Sequence, residues 1–289
     1  MSNVTSREAA KISNRPQQHS YALGYTESEF RRLELQSRLL RGLTEDLFRR
    51  AGISNGMRVL DIGCGVGDVS LLLGELVGHT GAVIGVDRSA DAVAVARQRA
   101  AAAGFDHLRF ECAELDALEL DAFSMQDKFD AITGRLILAY MPDPAALLRS
   151  LRAHLRPGGI VVFQEALVTD CRCIPEGPLF YQCRRWIFDT FERAGFDLDM
   201  GGKLYATFVE AGLPEPQMIG ASRLEAGAQS PAYGWAAETL RSLLPMAIRY
   251  SVTTAAEVNI ETMAERLRNE AVASKASIVI PLVGAWARP

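Results

Sequence analysis

The sequence has no apolar run long enough to cross a bilayer and no cluster of positive charge. Its 31 Lys and Arg are fewer than its 35 Asp and Glu, for a net charge of -4. That balance lacks the basic footprint that nucleic acid or an anionic membrane surface requires. Met1 to Ser20 is polar, with Asn3, Lys11, Arg15 and Gln17, and lacks the apolar core of a secretory signal. The expectation is a cytoplasmic chain with neither a nucleic-acid nor a membrane partner. Histidine is scarce, at four residues, and cysteine is odd in number, at five. An odd count without a signal favours reduced thiols over a disulfide framework. Cys171, Cys173 and Cys183 fall close together, which leaves a soft metalloid as a minor alternative. A structural zinc site, however, needs four ligands, usually in Cys-x-x-Cys pairs. No metal is expected. Internal repeats and low-complexity tracts are also absent.

What is present is apolar material: 48% of 289 residues, enough for one large domain or one domain with appendages. Thr26 and Glu29 have capping-box spacing ahead of Phe30, Leu33, Leu40, Leu43 and Leu47, which predicts an amphipathic helix ending near Gly52. An alternation follows. Strands are predicted at Arg58 to Ile62, Ala82 to Asp87, Leu108 to Glu114, Phe129 to Thr133 and Ile160 to Gln164. Helices fall between them, at Val69 to Val77, Ser89 to Ala103 and after the cap Asp143-Pro144. Such a rhythm implies right-handed crossovers and a mostly parallel, doubly wound α/β sheet. Ligands of these sheets bind outside the carboxyl ends of the strands, so Asp61, Asp87, Glu114, Arg135 and Glu165 matter most. Beyond Glu165 the rhythm changes. An aromatic-rich helix is expected at Gly177 to Ala194, strands at Gln217 to Leu224 and Ser277 to Trp286, and helices at Ala232 to Leu244 and Ala256 to Ala273. The three parts are a helical cap (1–52), a cofactor-binding core (53–167), and lid helices with closing strands (168–289).

The strongest signal is Val59-Leu60-Asp61-Ile62-Gly63-Cys64-Gly65-Val66-Gly67-Asp68, a strand running through a glycine turn into a helix. The three glycines permit close backbone approach to a ligand and dihedrals that side chains forbid. A dinucleotide fingerprint would place a third glycine where Asp68 stands, with a pyrophosphate at the helix N-terminus. Carboxylates at Asp61 and Asp68 would repel that pyrophosphate but suit a ligand bearing an ammonium and a sulfonium. S-adenosylmethionine is favoured over NAD on that ground. Asp87, ending the next strand, suits the two ribose hydroxyls of either ligand.

Taken with Ile84-Gly85-Val86-Asp87, Phe110-Glu111-Cys112-Ala113-Glu114 and Leu155-Arg156-Pro157-Gly158-Gly159, the turn resembles the class I S-adenosylmethionine-dependent methyltransferases, in their small-molecule and quinone-biosynthesis type. The resemblance covers about residues 56–165. It implies a Rossmann-like seven-stranded sheet with its last strand antiparallel, a helical N-terminal cap and inserted helices. Ser277 to Trp286 takes the last place, where Pro281 suggests an edge or a bulge. In the family the glycine turn (Gly63, Cys64, Gly65, Gly67) holds the methionine part, and Asp87, followed by Arg88, holds the ribose. The acid ending the third strand, here Glu114, accepts from the adenine amino group, and the next amide, Leu115, reaches the ring. The family more often has Asp there, and Asp116 lies nearby. The fourth strand ends Thr133-Gly134-Arg135-Leu136, unlike the Asn/Asp-Pro-Pro-Tyr of enzymes that methylate nucleobases.

Several residues keep two readings. Arg135 either orients an anionic group at the methyl end of the cofactor or makes an ion pair. Glu165 is either a general base, which needs a pKa raised by burial, or a structural acceptor. Tyr21 and Gln36 either reach the methionine carboxylate or the acceptor, or pack in a helical cap. The aromatics of 177–194 are either core or pocket wall. His79, His107 and His154 are expected in solvent, the first two in loops at the far side of the sheet. The expected partner is a small-molecule methyl acceptor, and a homodimer is compatible with the sequence. The competing functions are a nucleotide-linked oxidoreductase and a cofactor-binding regulator without turnover.

Overall fold

The computed structural model of the chain describes residues 27–114 and 128–289. Tyr21, Thr26, Leu115 and Asp116 therefore lie outside the described residues. Helix α1 (Glu27–Ala51) buries Leu39, Leu40, Leu47 and Phe48, spaced so that one stripe of the helix is apolar. Strands β1 (Arg58–Ile62), β2 (Ala82–Asp87), β3 (Leu108–Cys112), β4 (Phe129–Arg135) and β5 (Leu155–Ala166) form a parallel array in the order β3-β2-β1-β4-β5. Three helices make the crossovers: α2 (Asp68–Val77), α3 (Ala90–Ala102) and α4 (Pro144–Arg152). The predicted cap of α4 is in place, Asp143 Oδ1 accepting from the Ala146 N–H at 2.8 Å.

Alternate residues of each strand face opposite layers. Leu60, Ile62, Val161 and Phe163 pack against α4 and against α6 (Met200–Glu210), through Leu148, Leu151, Leu204 and Phe208. Val59, Val83, Ile160 and Val162 pack against α2, α3 and the last turns of α1, through Leu72, Leu73, Val93 and Phe48. Helix α6 opens on Gly201-Gly202, a pair that local propensity disfavours inside a helix. The structure shows why glycine is there: a Cβ on Gly201 would lie 2.9 Å from the carbonyl oxygen of Ala166, so the helix sits directly on the end of β5.

Strand β8 (Ser277–Ala287) runs antiparallel beside β5, and β7 (Gln217–Ala226) lies along its other edge for its whole length. A three-residue strand, β6 (Arg172–Ile174), also pairs with β8, at Ser277 to Val279. It occupies the same edge as β5 and makes the sheet eight-stranded, one short segment more than anticipated. Pro281 sits between the stretches of β8 paired with β5 and with β6. Its carbonyl takes the Leu167 N–H at 3.2 Å, so its missing donor faces the interruption between those two strands.

The remaining helices are α5 (Pro178–Arg193), α7 (Ala232–Arg249), α8 (Ala255–Val258) and α9 (Ile260–Ser274). They enclose a cluster that includes Leu39 and Leu40 of α1, Phe180, Trp186, Leu240 and Leu267, together with Ile278 and Ile280 of β8. Asn259, with φ 43°, divides α8 from α9 where the sequence suggests one helix. Among the described residues no helix is long and apolar enough to cross a membrane. One expectation is corrected outright. His79 is exposed, but the His107 side chain is only 7% exposed, its ring packed edge-on against Phe105 and hydrogen-bonded to Gly74.

Candidate active site

β1 ends in the glycine turn, and the turn is fastened to its neighbour strand. The Gly63 and Cys64 N–H groups both donate to the Val86 carbonyl, at 2.8 and 3.1 Å. Gly63 and Gly67 have φ of 68° and 85°, a region that disfavours side chains. Space forbids them too: a Cβ on Gly63 would lie 2.7 Å from the Ile137 side chain, and one on Gly67 3.1 Å from Ala96. Leu33 of α1 packs over Gly65, which brings the cap helix against the turn.

Asp87 closes this arrangement. Its Oδ2 accepts from the Gly65 N–H and its Oδ1 from the Ser89 N–H, each at 2.9 Å. A carboxylate has about four acceptor positions, so these N–H groups leave capacity for a ligand's hydroxyl. Burial raises the Asp87 pKa, offset by those N–H groups and by the Arg88 charge. Asp61 is more deeply placed, at 1% exposure, and its Oδ2 accepts from the Ser70 hydroxyl at 2.5 Å. Burial lifts its pKa to about 7, against the opposing effects of Ser70 and the Arg135 charge. The Cys64 thiol is pushed up by burial and by Asp61 and Asp87, which holds it neutral. Asp68, the other carboxylate of the turn, pairs with Arg99 of α3 at 2.7 Å, which offsets its charge. The argument against a pyrophosphate therefore rests on Asp61.

At the ends of β4 and β5 lie the two expected polar groups. Arg135 donates from Nη1 to Thr44 Oγ1 at 3.2 Å, and Thr44 in turn donates to Gln164 Oε1 at 2.7 Å, linking β4 and β5 to α1. Glu165, at 1% exposure, accepts at Oε1 from the Ile137 and Leu138 N–H groups at 2.9 and 2.8 Å. Burial raises its pKa to about 8. Gln36 is buried in α1, its Oε1 taking Arg32 Nη1 at 2.8 Å, while Arg32 also pairs with Glu29. Glu114 is exposed just beyond β3.

The structure thus brings Asp61, Gly63, Cys64, Gly65, Gly67, Asp87 and Arg88 to the adjoining carboxyl ends of β1 and β2. Beyond the turn that Glu165 holds, a set of edge-on rings forms from Tyr140, Phe191 and Phe196, with centroids 5.1 to 6.4 Å apart. Sequence reasoning missed Ser70, Thr44 and Arg99. Ser70 had a local signal, as a hydroxyl in the first turn of the helix after the glycines. The other two are recognisable only once distant segments meet.

The match to known proteins falls on this same region. Residues 53–177 match a family described as a methyltransferase domain. A demethylmenaquinone methyltransferase of Staphylococcus saprophyticus is 30% identical over 160 residues, covering 55% of this chain and 61% of that protein. A 2-phytyl-1,4-naphtoquinone methyltransferase of Synechococcus elongatus is 43% identical over 138 residues, covering 46% of this chain and 54% of that protein. The chain thus matches less than two thirds of the length of either relative. A crystal structure of a putative methyltransferase of Bacillus halodurans, at 14% identity, superposes with a TM-score of 0.55 over 85% of this chain and 97% of that one, a likeness of fold. Residues 53–177, which carry the glycine turn, Asp87, Arg135 and Glu165, are thus similar to a methyltransferase domain.

Proposed function

We propose that the chain binds S-adenosylmethionine across the ends of β1 and β2 and methylates a small, flat, lipophilic acceptor. The observation that carries this reading is Asp87, fixed by the Gly65 and Ser89 N–H groups with acceptor capacity to spare for a ribose. The residues fit the group in two further respects. The left-handed glycines leave room for close backbone approach, and Asp61 offers a buried carboxylate to an ammonium. When bound, the cofactor supplies an electrophilic methyl on a sulfonium with a neutral leaving group.

The protein's work is then mostly alignment, since holding the reactants in line can supply a large part of the rate. Gly63 to Gly67 and Asp61 hold the amino-acid end, and Asp87 fixes the ribose. The two readings of Glu165 divide on its contacts. Its Oε1 is occupied by two backbone N–H groups, which supports a positioning role that holds the turn after β4. Arg135, buried and acted on by the opposing charges of Asp68 and Asp61, is suited to an anionic group at the methyl end. Tyr140, Phe191 and Phe196 supply apolar ring surface beyond the turn that Glu165 holds, in keeping with the quinone methyltransferases among the relatives. A screen of hydroquinones, phenols and amines for S-adenosylhomocysteine release tests the reading. Turnover with an aromatic hydroxyl acceptor is expected; NADH binding in place of S-adenosylmethionine would overturn it.

A further inference from the structure

The end of the sheet opposite the cofactor site carries a second constellation. His79 lies in the turn between α2 and β2, and Asp106 and His107 in the turn between α3 and β3. One donor atom from each of the three lies within 4.8 Å of the others. The two imidazoles meet edge-on with centroids 5.4 Å apart. His107 is the anchor. Its Nε2 faces the Gly74 carbonyl at 3.1 Å, which fixes the proton on that nitrogen and leaves Nδ1 as an acceptor. That Nδ1 is buried with no hydrogen-bond partner, 3.5 Å from Asp106 Oδ1. A buried acceptor without a donor is costly, and native structures rarely keep one without a use.

We infer that His79, Asp106 and His107 form a site for one divalent transition-metal ion that fastens the α2–β2 turn to the α3–β3 turn. The chemistry of the donors selects the class. Two neutral imidazoles and one carboxylate suit zinc, nickel or cobalt(II). Three protein ligands with the remaining positions filled by water is a common arrangement for an accessible zinc. The Gly74 carbonyl has the role that outer partners of metal-bound histidines play, orienting the ring and fixing its tautomer. Donor atoms around such an ion stand about 3 to 3.5 Å apart, given bonds of about 2.0 to 2.2 Å. The Nδ1–Oδ1 spacing is already in that range. Asp106 is 91% exposed and His79 is also exposed, so both rotate freely to close the rest. The sequence concealed the site because two residues from one turn and one from another carry no ligand spacing.

The test uses full-length protein purified without a histidine tag, titrated with nickel, cobalt and zinc salts. Expected are one saturable equivalent, a cobalt spectrum of nitrogen and oxygen ligation, and a melting temperature that rises with metal concentration. His79→Gln and Asp106→Asn alter exposed side chains and leave the packed His107 in place. Each is expected to weaken the metal at least about tenfold, the lower end of what even outer partners of a metal ligand are worth. Each should also abolish the rise in melting temperature while melting like wild type without metal. Three outcomes overturn the inference: no saturable binding, unchanged affinity in both variants, or a thiolate-to-cobalt charge-transfer band, which would assign the metal to the cysteines.

Discussion

Asp87 Oδ2 accepts the Gly65 N–H at 2.9 Å, so the carboxylate at the end of β2 holds the middle of the glycine turn that follows β1. One residue thereby shapes the turn and faces the ribose position. Asp87→Ala should weaken S-adenosylhomocysteine binding by about 1.5–3 kcal/mol, the scale of a hydrogen bond to a charged group. Calorimetry on wild type and variant measures it directly, and equal affinities would remove Asp87 from the site.

Asp61 makes cofactor binding depend on pH. Its pKa stands at about 7 instead of 3.8, chiefly through burial. An ammonium beside it favours the ionised form, so affinity should rise as pH rises through about 7 and level off above. Protons should be released on binding over the lower part of that range. Asp61→Asn should bind more weakly and without this slope. A wild-type affinity that is flat from pH 6 to 8 would show that Asp61 meets no cation.

Glu165 should reveal itself in stability. Its folded pKa of about 8 lies above the ordinary 4.5, so the folded state holds its proton more tightly than the unfolded chain does. The stabilising contribution is complete below about pH 4.5 and is lost as pH rises through 8. Glu165→Gln keeps an acceptor for the Ile137 and Leu138 N–H groups and should flatten this part of the pH profile of urea unfolding. Glu165→Ala should cost about 1–3 kcal/mol for each N–H left buried and unpaired. If Gln retains turnover, a general-base role is excluded.

Gly63 combines a φ of 68° with a Cβ position 2.7 Å from Ile137. Gly63→Ala meets both the left-handed penalty of about 1–2 kcal/mol and overpacking of about 1–3 kcal/mol. A stability loss of at least about 1 kcal/mol is expected, together with weaker cofactor binding. Denaturant midpoints and calorimetry give the two values. Stability equal to wild type would mean that the turn relaxes without strain.

The elements legible in the sequence share a local cause. The β1 turn, the strands ending at Asp87 and Arg135, and the Asp143 cap are all written in periodicity, glycine spacing or capping within about ten residues. What stayed hidden depends on segments far apart in the chain. Asp68 is neutralised by Arg99, Thr44 receives Arg135, and Gly201 marks close approach to β5 where local propensity suggests a break. In the aromatic helix α5, Phe180 and Trp186 join one buried cluster and Phe191 is equally buried in another, beside Tyr140. Periodicity identifies an apolar stripe but not the partner it covers.

The position of β8 has a consequence for the order in which the protein takes shape. The stretch recognisable as a methyltransferase ends at residue 177, yet β5 finds its antiparallel neighbour only at Leu282 to Ala287. During synthesis the ribosome delivers a parallel sheet whose outer edge carries Val161, Val162 and Phe163, and that edge stays bare until much later residues emerge. Open apolar edges recruit other chains. The nascent chain should therefore rely on chaperones most heavily in the interval between completing β5 and releasing β8, and a ribosome stalled in that interval should be a source of aggregates.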